Sequence, residues 1–177
     1  SDIGDDNRDY VCEIPELAER IREIIEEYER NINRDKPARV EEFKIKLLST
    51  DKVWSKTRRH PIQFKEHLEI KLDELLEKGI IEPSESPYAA PLVLLPKPAG
   101  GIRMCVDYTR LNKIIEDDRY PIPRQEDLFE AIEGQRIFAA IDLENGYYHI
   151  PIRKEDQQIT AFTTARGLFE WKRMPFG

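Results

Sequence analysis

The apolar positions of the chain follow two rhythms. Leu17, Ile21, Ile24 and Tyr28 recur at helical spacing, with Ile25 and Ile32 widening the stripe. Pro15 suits the first position of a helix, where its missing N–H is harmless. The pattern predicts an amphipathic helix over 15–32 whose apolar face packs on its own domain. Phe64, Leu68, Leu72, Leu75 and Leu76 mark a second helix between Pro61 and Lys78, with Gly79 placed to cap its C-terminus. A third, short helix is expected over 125–133, ended by Gly134. Strand signals lie between and after these. Leu92 to Leu95 is a short apolar run and Ile102 to Tyr108 alternates loosely, with Gly100 and Gly101 suited to a hairpin tip between them. Residues 137–143 read as a buried strand. Residues 150–152, 159–164 and 168–172 suggest further strands, the last two joined through Ala165-Arg166-Gly167. Residues 33–60 are irregular, with extended character at 43–48, and the first dozen residues are expected to be mobile. Helices mixed with mostly local strands give an α+β fold.

Apolar residues make up 40% of the 177 positions, enough for a core, and 36% charged residues suit a water-facing surface. No apolar run approaches the roughly 20 residues of a membrane span, and the start is unlike a secretory signal. No membrane role and an intracellular location, cytoplasm or nucleus, are therefore expected. Cys12 and Cys105 are too few and too far apart for a zinc site or a disulfide framework. The net charge of −7 argues against a general nucleic-acid binder, but it is unevenly spread. Residues 1–35 hold twelve acidic against five basic residues, whereas residues 36–60 hold eight basic against three acidic. That middle stretch either lies against phosphates or is a solvated loop.

Each candidate for chemistry has an ordinary structural reading when taken singly. Asp142 ends the run Ile137-Phe138-Ala139-Ala140-Ile141, and Asn145-Gly146-Tyr147-Tyr148 follows closely. Lys97 and Arg103 flank the Gly-rich turn and could hold phosphate oxygens, Lys as a point charge and Arg as a fork of donors. Their serial order is more specific. Pro87-Tyr88-Ala89-Ala90-Pro91-Leu92-Val93-Leu94 precedes Arg103-Met104-Cys105-Val106-Asp107-Tyr108, then Arg119-Tyr120-Pro121-Ile122-Pro123. Ile141-Asp142-Leu143-Glu144-Asn145-Gly146-Tyr147, Thr160-Ala161-Phe162-Thr163-Thr164 and Met174-Pro175-Phe176-Gly177 complete the series. Leu75 to Ile81 matches the segment that leads into it. Over residues 60–177 this closely resembles the reverse transcriptase of long-terminal-repeat retrotransposons of the Ty3/gypsy type.

The resemblance implies part of a right-hand polymerase: fingers over 60–117, the first part of the palm over 118–149 and a return to the fingers over 150–177. Residues 1–59 would be an acidic, helical connector. Asp142 would be the catalytic carboxylate and first ligand of a pair of magnesium ions, a cofactor suited to phosphoryl transfer. Lys97, Arg103, Asn145, Gly146, Tyr147 and Phe176 would meet the incoming nucleotide, with the Tyr147 ring blocking a ribose 2′-hydroxyl. Template–primer RNA or DNA and deoxynucleoside triphosphates would be the partners of the complete enzyme. Three departures weaken the match. Pro98, Ala99 and Ile102 stand where the family carries more lysines and an aromatic, Thr109 where Arg is common, and Tyr148-His149 where His-Gln is frequent. The 177 residues also contain no Tyr-x-Asp-Asp sequence, the family's source of the remaining carboxylates. One carboxylate cannot cage two metals, so the chain alone is expected not to polymerise. Two alternatives remain open. The chain could be a host-adopted remnant that binds a protein partner or self-associates over its exposed palm edge, or one part of a polymerase completed by another chain.

Overall fold

The computed structural model describes residues 14–31, 36–98, 100–117, 121–136, 138, 143 and 145–176. The chain divides into two units, Ser1–Lys36 and Pro37–Gly177. The first contains helix α1, Pro15–Asn31, which buries none of its residues. Charged residues crowd the face opposite its apolar stripe, so the helix forms as its periodicity predicts.

The second unit is built on a five-stranded sheet. Its strands are β1 (Ile81–Pro83), β2 (Ala90–Pro96), β3 (Ile102–Val106), β4 (Phe162–Thr164) and β5 (Gly167–Trp171), in the spatial order β1-β5-β4-β2-β3. Only the central pair, β2 with β4, is parallel. This pairing places strands some seventy residues apart in sequence side by side. The β2–β3 hairpin sets Leu95 opposite Arg103 and Pro96 opposite Ile102. Gly100 and Gly101 turn its tip at φ of +93° and +78°, a region that side chains with a Cβ rarely enter.

Helix α2, Ile62–Glu77, lies against this sheet through Leu68, Leu72 and Leu75, all buried. Gly79 ends it at φ +60°, and the N–H of Ile80 reaches back to the carbonyl of Leu75 at 2.9 Å. That six-to-one bond closes a glycine cap of the Schellman kind. Short helices α3 (Thr109–Asn112), α4 (Gln125–Ile132) and α5 (Lys154–Gln157) complete the unit. Trp171, Phe162, Leu72, Leu92 and Ile152 sit at the centre of the core, with Phe162 stacked on Phe169 at 5.9 Å. A buried polar chain stitches it together. Tyr108 donates its hydroxyl to the Thr160 carbonyl at 2.6 Å, and the Thr160 hydroxyl accepts the main-chain N–H of Trp171 at 3.0 Å.

Residues 43–55 are less irregular than their composition suggests. Phe43 bridges Ile152, Leu47 bridges Ile115 and Trp54 bridges Ala89, so this segment straps across the unit. Ile45 is buried in the core, and its N–H bonds the Asp156 carboxylate at 3.0 Å. The compact unit thus begins at Pro37, ahead of residue 60. Residues 150–152 form isolated bridges to residue 43 and residue 173 instead of a strand. The expected strand over 137–143 lies outside the described residues except for Phe138 and Leu143, both exposed.

Several carboxylates are held below their ordinary range by cations. Glu82 is lowered by the Lys154 ammonium, with Lys172 assisting at 3.4 Å. In Glu74 burial opposes the shift, but hydrogen bonds from Lys78 and Lys71 outweigh it. A carboxylate whose folded pKa lies below its unfolded value lets the unfolded chain take up protons first. Stability is then present above the unfolded value, near 4.5 for a glutamate, and is lost as pH falls through the folded one. Urea titrations are therefore expected to show a midpoint that falls below about pH 4.5, after a smaller fall beginning near pH 6.5 from His60, whose imidazole is held below its ordinary range by burial and by Arg58.

Candidate nucleotide site

The turn that follows Asp142 is shaped by Asn145, the one described non-glycine residue with a positive φ, at +50°. Asn tolerates this left-handed geometry better than most residues. Its carbonyl accepts the Tyr148 N–H at 2.8 Å and starts a single 3₁₀ turn over Gly146–His149. The turn projects Tyr147 outward, 48% exposed, and leaves Tyr148 half-buried beneath it.

Phe176 reaches this turn through main-chain pairing nearly thirty residues away in sequence. Ile152 donates to the Lys172 carbonyl at 2.9 Å, and Met174 donates to Ile150 at 2.9 Å. Pro151 pairs with Arg173 between them. The segment therefore runs antiparallel to 150–152 and delivers Phe176 edge-on to Tyr147, with ring centres 5.3 Å apart. Phe176 also meets Tyr148 edge-on at 5.2 Å, and Tyr148 stacks on buried Trp171 at 5.6 Å. Edge-to-face and offset stacks suit the ring quadrupoles. The result is a rigid aromatic floor anchored in the core, with Tyr147 and Phe176 open to solvent. Burial, with smaller effects of Glu74 and Cys105, pushes the Tyr148 hydroxyl up to about 12, so it stays neutral at physiological pH.

Lys97 and Arg103 stand on the β2–β3 hairpin, Lys97 half-buried and Arg103 exposed. The Lys97 main chain closes the tip, donating to Gly101 at 3.2 Å and accepting from Gly100 at 3.0 Å. Arg103 and Cys105 alternate with Met104 along β3 and so share one face of it. Five of the residues singled out in the sequence thus divide between one turn (Asn145, Gly146, Tyr147, Phe176) and one hairpin strand (Arg103). Lys97 stands at the hairpin's tip. Asp142 lies outside the described residues. Among the described residues no three His, Cys, Asp or Glu side chains cluster as a metal site.

Sequence reasoning missed a second concavity. Val53, Ser55, Arg58, Pro91, Asp107 and Arg110 line a groove of about 280 Å³. Arg58 pairs with Asp107 at 2.7 Å, and Arg110 donates to the Trp54 carbonyl at 3.0 Å. Hydrogen bonds from Thr109, and then the Arg58 guanidinium, hold the Asp107 carboxyl below its usual range. The only signal for this groove was the excess of basic residues over 36–60.

These features lie on an α+β fold, and comparison with known proteins gives the class. Residues 95–177 match the family Reverse transcriptase (RNA-dependent DNA polymerase). The chain belongs to that family through this stretch, in the branch of retrotransposon Pol polyproteins. It is 36% identical over 138 residues, 75% of its length, to the retrovirus-related Pol polyprotein from transposon opus of Drosophila melanogaster. It is 32% identical over 167 residues, 93% of its length, to the transposon Tf2-3 polyprotein of Schizosaccharomyces pombe. It spans only 14% and 12% of those polyproteins. Among solved structures, the prototype foamy virus protease–reverse transcriptase superposes with a TM-score of 0.81 at 24% identity, covering 94% of this chain and 23% of that one. That likeness speaks for the fold. Other structures of the foamy viral protease–reverse transcriptase are complexes with double-stranded DNA and with an RNA/DNA hybrid.

Proposed function

We propose that these residues form the nucleotide-receiving part of an RNA-directed DNA polymerase. The observation that carries this reading is the Tyr147–Phe176 pair. Two solvent-open rings, braced from below by Tyr148 and Trp171, offer an apolar wall to a sugar and base. The N–H groups of the Asn145–Gly146 turn and the cations Lys97 and Arg103 would meet the triphosphate, where charge-assisted bonds are strongest. The hard carboxylate of Asp142 suits magnesium, which would neutralise charge on the transferring phosphoryl group. The groove beside Arg58 and Arg110 would receive a template or primer strand, in keeping with the nucleic-acid complexes of the foamy viral relative. On this reading the fingers extend over 60–117 and 150–177, with 118–149 in the palm. Within the 177 residues the set of carboxylates is incomplete, so the chain by itself binds nucleotide weakly and does not extend a primer.

The test is sugar selection. In a polymerase that contains this chain, Tyr147→Ala is expected to raise ribonucleotide incorporation, relative to deoxyribonucleotide, about tenfold or more, the scale of steric rejection of one small group. Single-nucleotide extension with matched ribo- and deoxyribonucleotides reads it directly. Unchanged discrimination would remove Tyr147 from the sugar pocket.

A further inference from the structure

Helix α1 carries more order than an amphipathic stripe requires. Leu17, Ile21, Ile24 and Tyr28 follow one another at steps of four, three and four, the repeat that keeps a seam on one side of a two-helix coil. Leu17, Ile24 and Tyr28 are 40%, 57% and 62% exposed, and no residue of the helix is buried. The residues beside the seam are not random. Ala18 and Ile25 flank one side, and Arg20 and Glu27 flank the other. The outer positions Glu16, Glu19, Arg22, Glu23, Glu26, Glu29 and Arg30 are all charged.

We propose that α1 is a self-complementary surface that pairs antiparallel with α1 of a second copy of this chain. Laid antiparallel, Leu17 faces Tyr28 of the other copy and Ile21 faces Ile24, and the two-fold axis repeats each layer. The same register sets Ala18 against Ile25, small against large on both sides. It also sets Arg20 against Glu27 twice, once for each copy. Arg20 lies 3.3 Å from Glu23 of its own helix, with both side chains largely exposed, a contact weak enough to be exchanged. A parallel arrangement loses this match, because residues on the Arg20 side would then face those on the Ile25 side. An isologous contact of this kind closes at two copies. The inference does not depend on the polymerase reading.

Sedimentation of the whole 177-residue chain, under reducing conditions so that Cys12 cannot link copies, tests it. Four apolar layers make a short interface, so the dimer is expected to dominate at roughly 0.2 mM and to dissociate on dilution. Arg20→Glu alone and Glu27→Arg alone turn two attractions into two repulsions, and each should weaken the dimer about tenfold. Both substitutions are on exposed residues and leave helix content by circular dichroism unchanged. Mixing the two variants restores both pairs and should recover a heterodimer at the wild-type affinity. A wild-type chain that stays monomeric at this concentration overturns the proposal. So does a dimer indifferent to both charge reversals, or one that the mixture fails to recover.

Discussion

Asp142→Asn, introduced into a polymerase that contains this chain, is expected to lower the rate of nucleotide addition at least about a thousand-fold, several kcal/mol of lost charge stabilisation. The change is nearly isosteric, so folding should be untouched. What it removes is one full negative charge and the hard anionic oxygen that a magnesium ion prefers. Template–primer affinity should stay within about twofold, because on the proposed reading it would come from phosphate contacts away from Asp142. The loss should therefore fall on the chemical step, read by single-turnover extension at saturating nucleotide. A variant that retains a tenth of the wild-type rate would place the catalytic carboxylate somewhere else.

The second large effect is structural. Asp156 is 5% exposed and accepts three hydrogen bonds: the Ile45 N–H at 3.0 Å, Arg153 Nε at 2.9 Å and Arg153 Nη2 at 3.0 Å. Asp156→Ala orphans the buried N–H of Ile45 and leaves Arg153 without its fork partner. An unsatisfied buried donor costs about 1–3 kcal/mol. The Arg153 side chain is 41% exposed and regains water, so the loss expected by urea denaturation is that of the orphaned Ile45 N–H, about 1–3 kcal/mol. Amide exchange should rise most over residues 43–47, since Asp156 pins that strap. A loss below about 0.5 kcal/mol, within the range of ordinary surface substitutions, would show that the strap is held without it.

The elements legible in the sequence were those whose signals are local. The leucine spacing and Gly79 gave α2 and its cap, the paired glycines gave the β2–β3 hairpin, and Ala165-Arg166-Gly167 gave the turn into β5. Contacts between distant segments were not legible. The parallel pairing of β2 with β4 leaves no trace in the periodicity of either strand. Lys154-Glu155-Asp156-Gln157-Gln158 has no apolar position, yet Asp156 is buried because its partner Ile45 arrives from far away in the sequence, while Gln157 beside it is buried with its amide bonded to the nearby Ile152 carbonyl. The candidate site divides the same way. Tyr147 and Phe176 were named by resemblance, and the structure joins them through pairing of 150–152 with 172–174. The bracing by Tyr148 and Trp171, and the Arg58–Asp107 groove, follow from that packing alone.

Primer extension by the purified 177-residue chain, with magnesium, deoxynucleoside triphosphates and a primed template, tests the central claim most directly. On the proposed reading, which gives these 177 residues only Asp142 of the metal-binding carboxylates, no product above the Asp142→Asn background is expected. Product that grows with time and disappears in that variant would contradict the account.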